Sequence, residues 1–338
     1  MTLIIQIVIS VLVIYLIFSV MVFVIVEWFT MIIRLRGKML RDALFNLFND
    51  IKEKKGMGER LYNHPQIEKL MRDHKLPSYI PATNVTLALI DLIKSEKAPD
   101  ANDLPNEDEK TYQQFKQGLL QLEDGPLKKL LTSITGHSRN LAFLTISIEK
   151  WYNEYMDRVT GWYKVHVRNI VLVVSALVTL AFNIDTIHII KVAATDPKTR
   201  ERLNLLADEV LKDSLITNAV LRQENFQDYY DEYVNDDSFD GRDSIEKVLF
   251  RDSLVANYNN ESLDQLIKLN QMVRQWDLPV GWEIKKDHGW PLIILGWILS
   301  TLALSAGGPF WFDLLKRLVN VRNAGIKPLV PNRPEELK

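Results

Sequence analysis

The chain has 338 residues, a formal net charge of −2 and no cysteine. Such a balance provides no global basic field for nucleic acid, and the missing thiols exclude disulfides, Cys-ligated zinc and thiol catalysis. Hydrophobic residues make up 47% of the chain, an ordinary share, but three blocks hold most of the excess.

The first block, Leu3 to Val26, reads LIIQIVISVLVIYLIFSVMVFVIV. A helix needs ~20 apolar residues to cross a bilayer core, and this block exceeds that. No basic stretch precedes it and no small-residue cleavage pattern follows. It is expected to be an uncleaved anchor rather than a signal peptide. Residues 1–33 are therefore assigned to a first transmembrane helix.

Residues 34–139 predict a cytoplasmic helical domain. Leu40, Leu44, Leu47 and Ile51 recur at helical spacing. LYNHPQIEKLMRDH reads as one short helix with Asn63 capping it near its start. PSYIPATNVTLALIDLIKSE begins extended around two prolines and continues as a helix. Residues 97–109 form a polar, acidic loop. A helix pair broken at Asp124-Gly125-Pro126 follows.

Residues 140–190 predict a long stalk helix that continues into a second transmembrane helix. No proline interrupts Asn140 to Asn183, which as one helix is about 65 Å long at 1.5 Å per residue. Leu141, Leu144, Ile148, Trp151, Tyr155, Val159 and Trp162 recur every three or four residues as one apolar stripe. Glu154 and Arg158 are spaced for an i,i+4 ion pair. Trp151, Tyr155, Arg158 and Trp162 are the candidate packing or docking residues of the stalk. Beyond it, Ile170 to Ile184, with an extension toward Ile190, supplies the second apolar block.

Residues 191–288 predict a helical extracytoplasmic domain with an acidic tract from Glu224 to Asp243. Residues 289–312 predict a third transmembrane helix, interrupted by Ser305, Gly307, Gly308 and Pro309. Trp290 and Trp297 within its apolar block, Trp290 to Leu304, and Trp282 and Trp311 beside that block, favour an interfacial setting. Residues 313–338 form a cytoplasmic C-terminal segment. The basic flanks orient the spans: Arg34, Arg36, Lys38 and Arg41; Arg158, Lys164 and Arg168; Lys316, Arg317, Arg322 and Lys327. By the positive-inside rule all three flanks are cytoplasmic, so the N-terminus lies outside and the C-terminus inside. Lys198, Arg200 and Arg202 run against that assignment. The expected class is mainly α: an integral membrane protein with three transmembrane helices, a cytoplasmic helical bundle and a helical extracytoplasmic segment.

No two of the six histidines are spaced i,i+4, and no nucleophile elbow, phosphate loop or dinucleotide fingerprint is present. No enzyme activity and no cofactor are expected. DDSFDGRDSIEK places Asp236, Ser238 and Asp240 at the first, third and fifth positions of a calcium loop. The twelfth position, where a bidentate glutamate belongs, is Lys247. The stretch reads as a solvated acidic turn and is at most a weak calcium candidate. Ionisable and polar groups near lipid are costly and therefore informative. Glu27, Asn183, Asp185 and Asp313 are the candidate intramembrane polar or path residues.

LYNHPQI, PSYIPATNVTLALIDL, MDRVTGWYK, FNIDT and GGPFWFDLLKRLVNVRNAG together resemble a family of bacterial inner-membrane proteins to which no activity is assigned. The resemblance runs from the first span to about Lys327 and is weakest over 191–289. GGP stands where the family pattern has GAP. The resemblance implies a bacterial inner-membrane setting and carries over no catalytic residue. The function expected is a non-enzymatic membrane anchor or scaffold subunit of a larger assembly; the alternative is an oligomeric ion channel or membrane-acting effector. The expected partners are the lipid bilayer and either further copies of the chain or other protein subunits, not nucleic acid.

Overall fold

The structure, a computed structural model, describes residues 3–48, 56–70, 77, 79–94, 106–214, 216–220, 267–283 and 289–324. Every regular element among them is a helix. The described residues form two compact units. One contains residues 30–166, and the other contains 3–29 and the described residues from 167 onward.

The first is a helical bundle. It contains α2 (Leu35–Leu47), α3 (Met57–Tyr62), α4 (Pro65–Glu68), α5 (Ala82–Ile93), α6 (Glu107–Gln121), α7 (Pro126–His137) and the first part of α8 (Leu141–Ala181). Leu44, Leu61, Ile67, Ile80, Leu89, Phe115, Leu131, Leu144 and Ile148 are fully buried in its core. Local chemistry sets the helix ends. The Asn106 side chain accepts the Asp108 N–H at 3.0 Å and starts α6. Pro126 opens α7 just after Gly125, as its missing N–H permits. The expected single helix over LYNHPQIEKLMRDH is instead α3 followed by α4, and Asn63 ends α3 rather than starting a helix. The reason is Pro65, which biases His64 toward extended backbone (φ −69°, ψ 139°).

The stripe along α8 packs as its spacing predicts at Leu144, Ile148 and Val159, all buried. Trp151 and Tyr155 are half-buried, while Trp162 is 49% exposed. Tyr155 donates its hydroxyl to the Ala43 carbonyl at 2.8 Å and meets Trp162 edge-on at 6.2 Å. The Glu154–Arg158 ion pair is not formed; the Arg158 guanidinium lies over the Tyr155 ring at 5.8 Å. An exposed i,i+4 pair is worth only ~0.3–0.5 kcal/mol, so a ring nearby competes easily.

The second unit is apolar. It holds most of α1 (Leu3–Ile32), the end of α8, α9 (Thr186–Thr195), α10 (Pro197–Val210), helical stretches at 216–220 and 267–275, α11 (Trp290–Ser305) and α12 (Gly308–Ala324). A helix that is apolar all round must be covered on every side or lie in lipid. For α1, 78% of the apolar stretch is covered inside the protein, against 22% for α8. The other helices leave large apolar side chains outward, among them Leu172, Val173, Leu177 and Leu180 on α8 and Leu292, Ile294, Ile298 and Leu302 on α11. Continuous outward surface of this kind suits hydrocarbon rather than water. Leu3–Thr30 and Leu141–Ala181 are each long and apolar enough to cross a membrane.

The expected second and third spans are both modified. The block reaching toward Ile190 is not one helix: α8 ends at Ala181, and α9 begins at Thr186. The third block bends by 94° between α11 and α12, at the expected Gly-Gly-Pro, with Gly307 at φ 90°. Asp208 of α10 and Arg322 of α12, expected on opposite sides of the membrane, are paired directly. Asn204 of α10 donates to the Gln6 carbonyl at 3.0 Å and to Ser10 Oγ at 3.1 Å on α1.

Thermal melting of the full chain in detergent tests the bundle core. Ile148→Ala is expected to destabilise by about 2–4 kcal/mol through cavity formation. Tyr152→Phe, which deletes a buried hydrogen bond to the Ile80 carbonyl (3.1 Å), is expected to cost about 1 kcal/mol.

Candidate functional site

The break between α8 and α9 has to close a helix end in apolar surroundings, where orphan backbone groups are costly. The chain closes it with a left-handed residue. Asn183 takes φ 49°, a conformation asparagine tolerates better than most residues. The Ile184 N–H then returns to the Thr179 carbonyl at 2.9 Å and the Asn183 N–H to Leu180 at 3.2 Å. Trp282 Nε1 also donates to the Leu180 carbonyl, at 3.1 Å. Two residues on, the Asp185 carboxylate caps α9 by accepting the N–H groups of Ile187 (3.0 Å) and His188 (3.2 Å).

The same junction is a polar node. Asn183 Nδ2 donates to the Gly281 carbonyl at 2.8 Å, and its Oδ1 accepts from Trp297 Nε1 at 3.0 Å. The Thr186 N–H donates to Ser300 Oγ at 3.1 Å. The Thr186 hydroxyl lies 2.7 Å from Ser300 Oγ and 2.8 Å from the Tyr15 hydroxyl. Asp185 is 1% exposed and Ser300 fully buried. Gly296 is required beside Asp185, since a Cβ there would lie 1.9 Å from Oδ1. One set of contacts thus ties α1, the α8–α9 junction and α11 together.

Of the candidate path residues, the node takes Asn183 and Asp185. Glu27 is half-buried on α1, twelve residues from Tyr15, which is about 18 Å along a helix. Asp313 is exposed on α12 and belongs to no such network. Asp236, Ser238 and Asp240 lie outside the described residues. Tyr15, Thr186, Gly296 and Ser300 were not singled out in the sequence. A tyrosine inside a block of aliphatics was the one available signal.

A second constellation lies in the bundle, on the LYNHP and NVTLALIDL segments. His64 Nδ1 accepts the Gln66 N–H at 3.3 Å, and Nε2 faces Asp91 Oδ2 at 3.0 Å. Asn84 Nδ2 donates to the Gln66 carbonyl at 3.0 Å. Hydrogen bonds from Lys94 and then His64 hold the Asp91 carboxyl below the usual carboxylate range. Nδ1 caps α4 and Nε2 joins it to α5, so both imidazole nitrogens are engaged. Burial pushes the Tyr62 phenol up to about 12, against a weaker opposing effect of Arg41. Among the described residues, no group of three or more His, Asp or Glu side chains is placed to hold a metal ion.

No protein family, curated protein or solved structure matches the chain.

Two variants test these constellations. Gly296→Ala is expected to disrupt the α9–α11 packing and lower the Tm sharply, while Gly296→Ala combined with Asp185→Ala recovers part of the loss by making room; the double-mutant cycle reads the coupling. Asp91→Asn is expected to destabilise by about 0.5 kcal/mol at neutral pH, since Asp91 is half exposed and screened. Because its folded pKa is lowered, this contribution is present above the unfolded value of about 3.9 and is lost as pH falls through the folded value. Melting curves of wild type and variant should therefore converge in acid.

Proposed function

We propose that the chain is a non-enzymatic anchor of the bacterial inner membrane that holds a helical bundle at the bilayer as a scaffold for a larger assembly. The observation that carries this reading is α8, a single helix of 41 residues. Its first part supplies Leu144, Ile148 and Tyr152 to the bundle core, and its last part supplies Val174 and Val178 to the apolar core. One uninterrupted helix thus belongs to both hydrophobic cores. Both polar constellations join helices, which is the use a tether makes of them.

We read the topology as two crossings, α1 and α8, with α11 and α12 as a bent pair that enters the membrane and returns. The 94° bend and the Asp208–Arg322 pair support this. So does Asn204, which joins α10 to the N-terminal end of α1. The basic flanks of α1 and α8 support a cytoplasmic bundle. On this reading the N-terminus, α10 and α12 share the outer side, against which Lys316, Arg317 and Arg322 of α12 weigh; three crossings with a cytoplasmic C-terminus are the alternative.

Single cysteines test the topology cleanly in a chain that has none. An impermeant maleimide applied to intact cells with a permeabilised outer membrane should label Glu201→Cys and Asn320→Cys but not Asp108→Cys. Labelling of Asn320→Cys only after lysis would restore three crossings. The scaffold role is tested by the mass and composition of the complex extracted in mild detergent. Other proteins bound through the bundle are expected. A homo-oligomer of symmetric copy number would instead favour a channel, the reading that the bent α11–α12 pair supports.

A further inference from the structure

We propose that the turn from α1 into α2, together with the facing turn of α8, is a binding site for the headgroup of an anionic phospholipid. The proposal rests on the membrane reading above.

Two contacts set the register of α2 against α8. Tyr155 meets Ala43 at 2.8 Å, and the Arg36 guanidinium lies 6.0 Å from the Tyr163 ring centre. The chain separations, seven residues on α2 and eight on α8, show antiparallel packing. Arg34, Arg36 and Lys38 therefore lie at the same end of the pair as Lys164. This is the level at which α1 ends, at Ile32, and at which α8 changes from charged to apolar composition. No acidic residue occurs in 30–41 or 159–168. Trp162, half exposed, and Tyr163 add the amphipathic rings typical of a headgroup boundary.

The environment of these cations favours a ligand. The side chains of Arg34, Lys38 and Lys164 are exposed and make no hydrogen bond or ion pair among the described residues. Three arginines of the apolar unit are instead engaged within the protein, whereas the side chains of Lys198, Lys316 and Arg317 there are exposed and make no such contact among the described residues. Arg200 donates to the Ala193 carbonyl at 2.8 Å, Arg202 pairs with Asp277 at 3.2 Å, and Arg322 pairs with Asp208. Arg34 also adopts a left-handed conformation (φ 51°, ψ 42°). For a non-glycine residue this is uncommon and mildly strained. Arg34 sits in the turn between α1 and α2 and puts a guanidinium there. Unpaired cations at the end of an apolar helix attract anionic lipid. The phosphodiester of phosphatidylglycerol matches the charge, and the bilayer supplies it at this depth.

The test is the melting of the full chain, followed by tryptophan fluorescence, in nanodiscs of phosphatidylcholine alone and of equal parts phosphatidylcholine and phosphatidylglycerol. Wild type should melt higher with phosphatidylglycerol, and high salt should reduce the gain. Arg34→Gln/Lys38→Gln/Lys164→Gln should lose most of the gain. Lys116→Gln/Lys129→Gln/Lys150→Gln, which removes equal charge elsewhere on the bundle, should keep it. No gain in wild type, or an unchanged gain in the first variant, would overturn the site. So would an equal gain from inorganic phosphate in phosphatidylcholine discs, which would show a soluble-anion site instead. A chain that enters no disc would overturn the membrane reading together with the site, whereas a chain that enters and ignores phosphatidylglycerol overturns the site alone.

Discussion

A helix that stops inside apolar surroundings exposes carbonyl and N–H groups that neither lipid nor aliphatic side chains can satisfy. The end of α8 is such a place, and much of the apolar unit is arranged around closing it. Asn183 turns the backbone, Asp185 starts α9, and Trp282 and Trp297 supply indole donors to the junction. Thr186, Ser300 and Tyr15 extend the closure to α11 and α1. With the junction fixed, α10 follows from Asp196, which caps it by accepting the Lys198 N–H at 3.0 Å.

Much of the bundle was legible in the sequence because helical periodicity and turn residues act locally. Leu144 and Ile148 mark the buried face of α8, and Gly125-Pro126 marks the start of α7. Tyr152 was not legible. It lies beside the expected stripe and is buried because its hydroxyl finds the Ile80 carbonyl, a partner 72 residues away. Asn63 misled for a local reason, since Pro65 moved the cap by one residue to His64.

The polar node was half legible. Asn183 and Asp185 stand out at the end of an apolar block. Tyr15, Thr186 and Ser300 are ordinary in their own windows, and only three-dimensional packing brings them together across 171 and 114 positions of chain. Gly296 reads as a helix weakness until Asp185 is placed against it. Asp313, a carboxylate beside a helix break, lies on an exposed face of α12 and outside the node.

The proposed tether requires α8 to be one helix through both cores. Backbone amide hydrogen exchange along 155–184, measured on the full chain in nanodiscs, tests that directly. Continuous protection through Gly161 and on to Arg168, with the first weak point at the Asn183 turn, is the predicted result. Fast exchange between Gly161 and Arg168 would mean a hinge at the membrane boundary and would contradict the anchor.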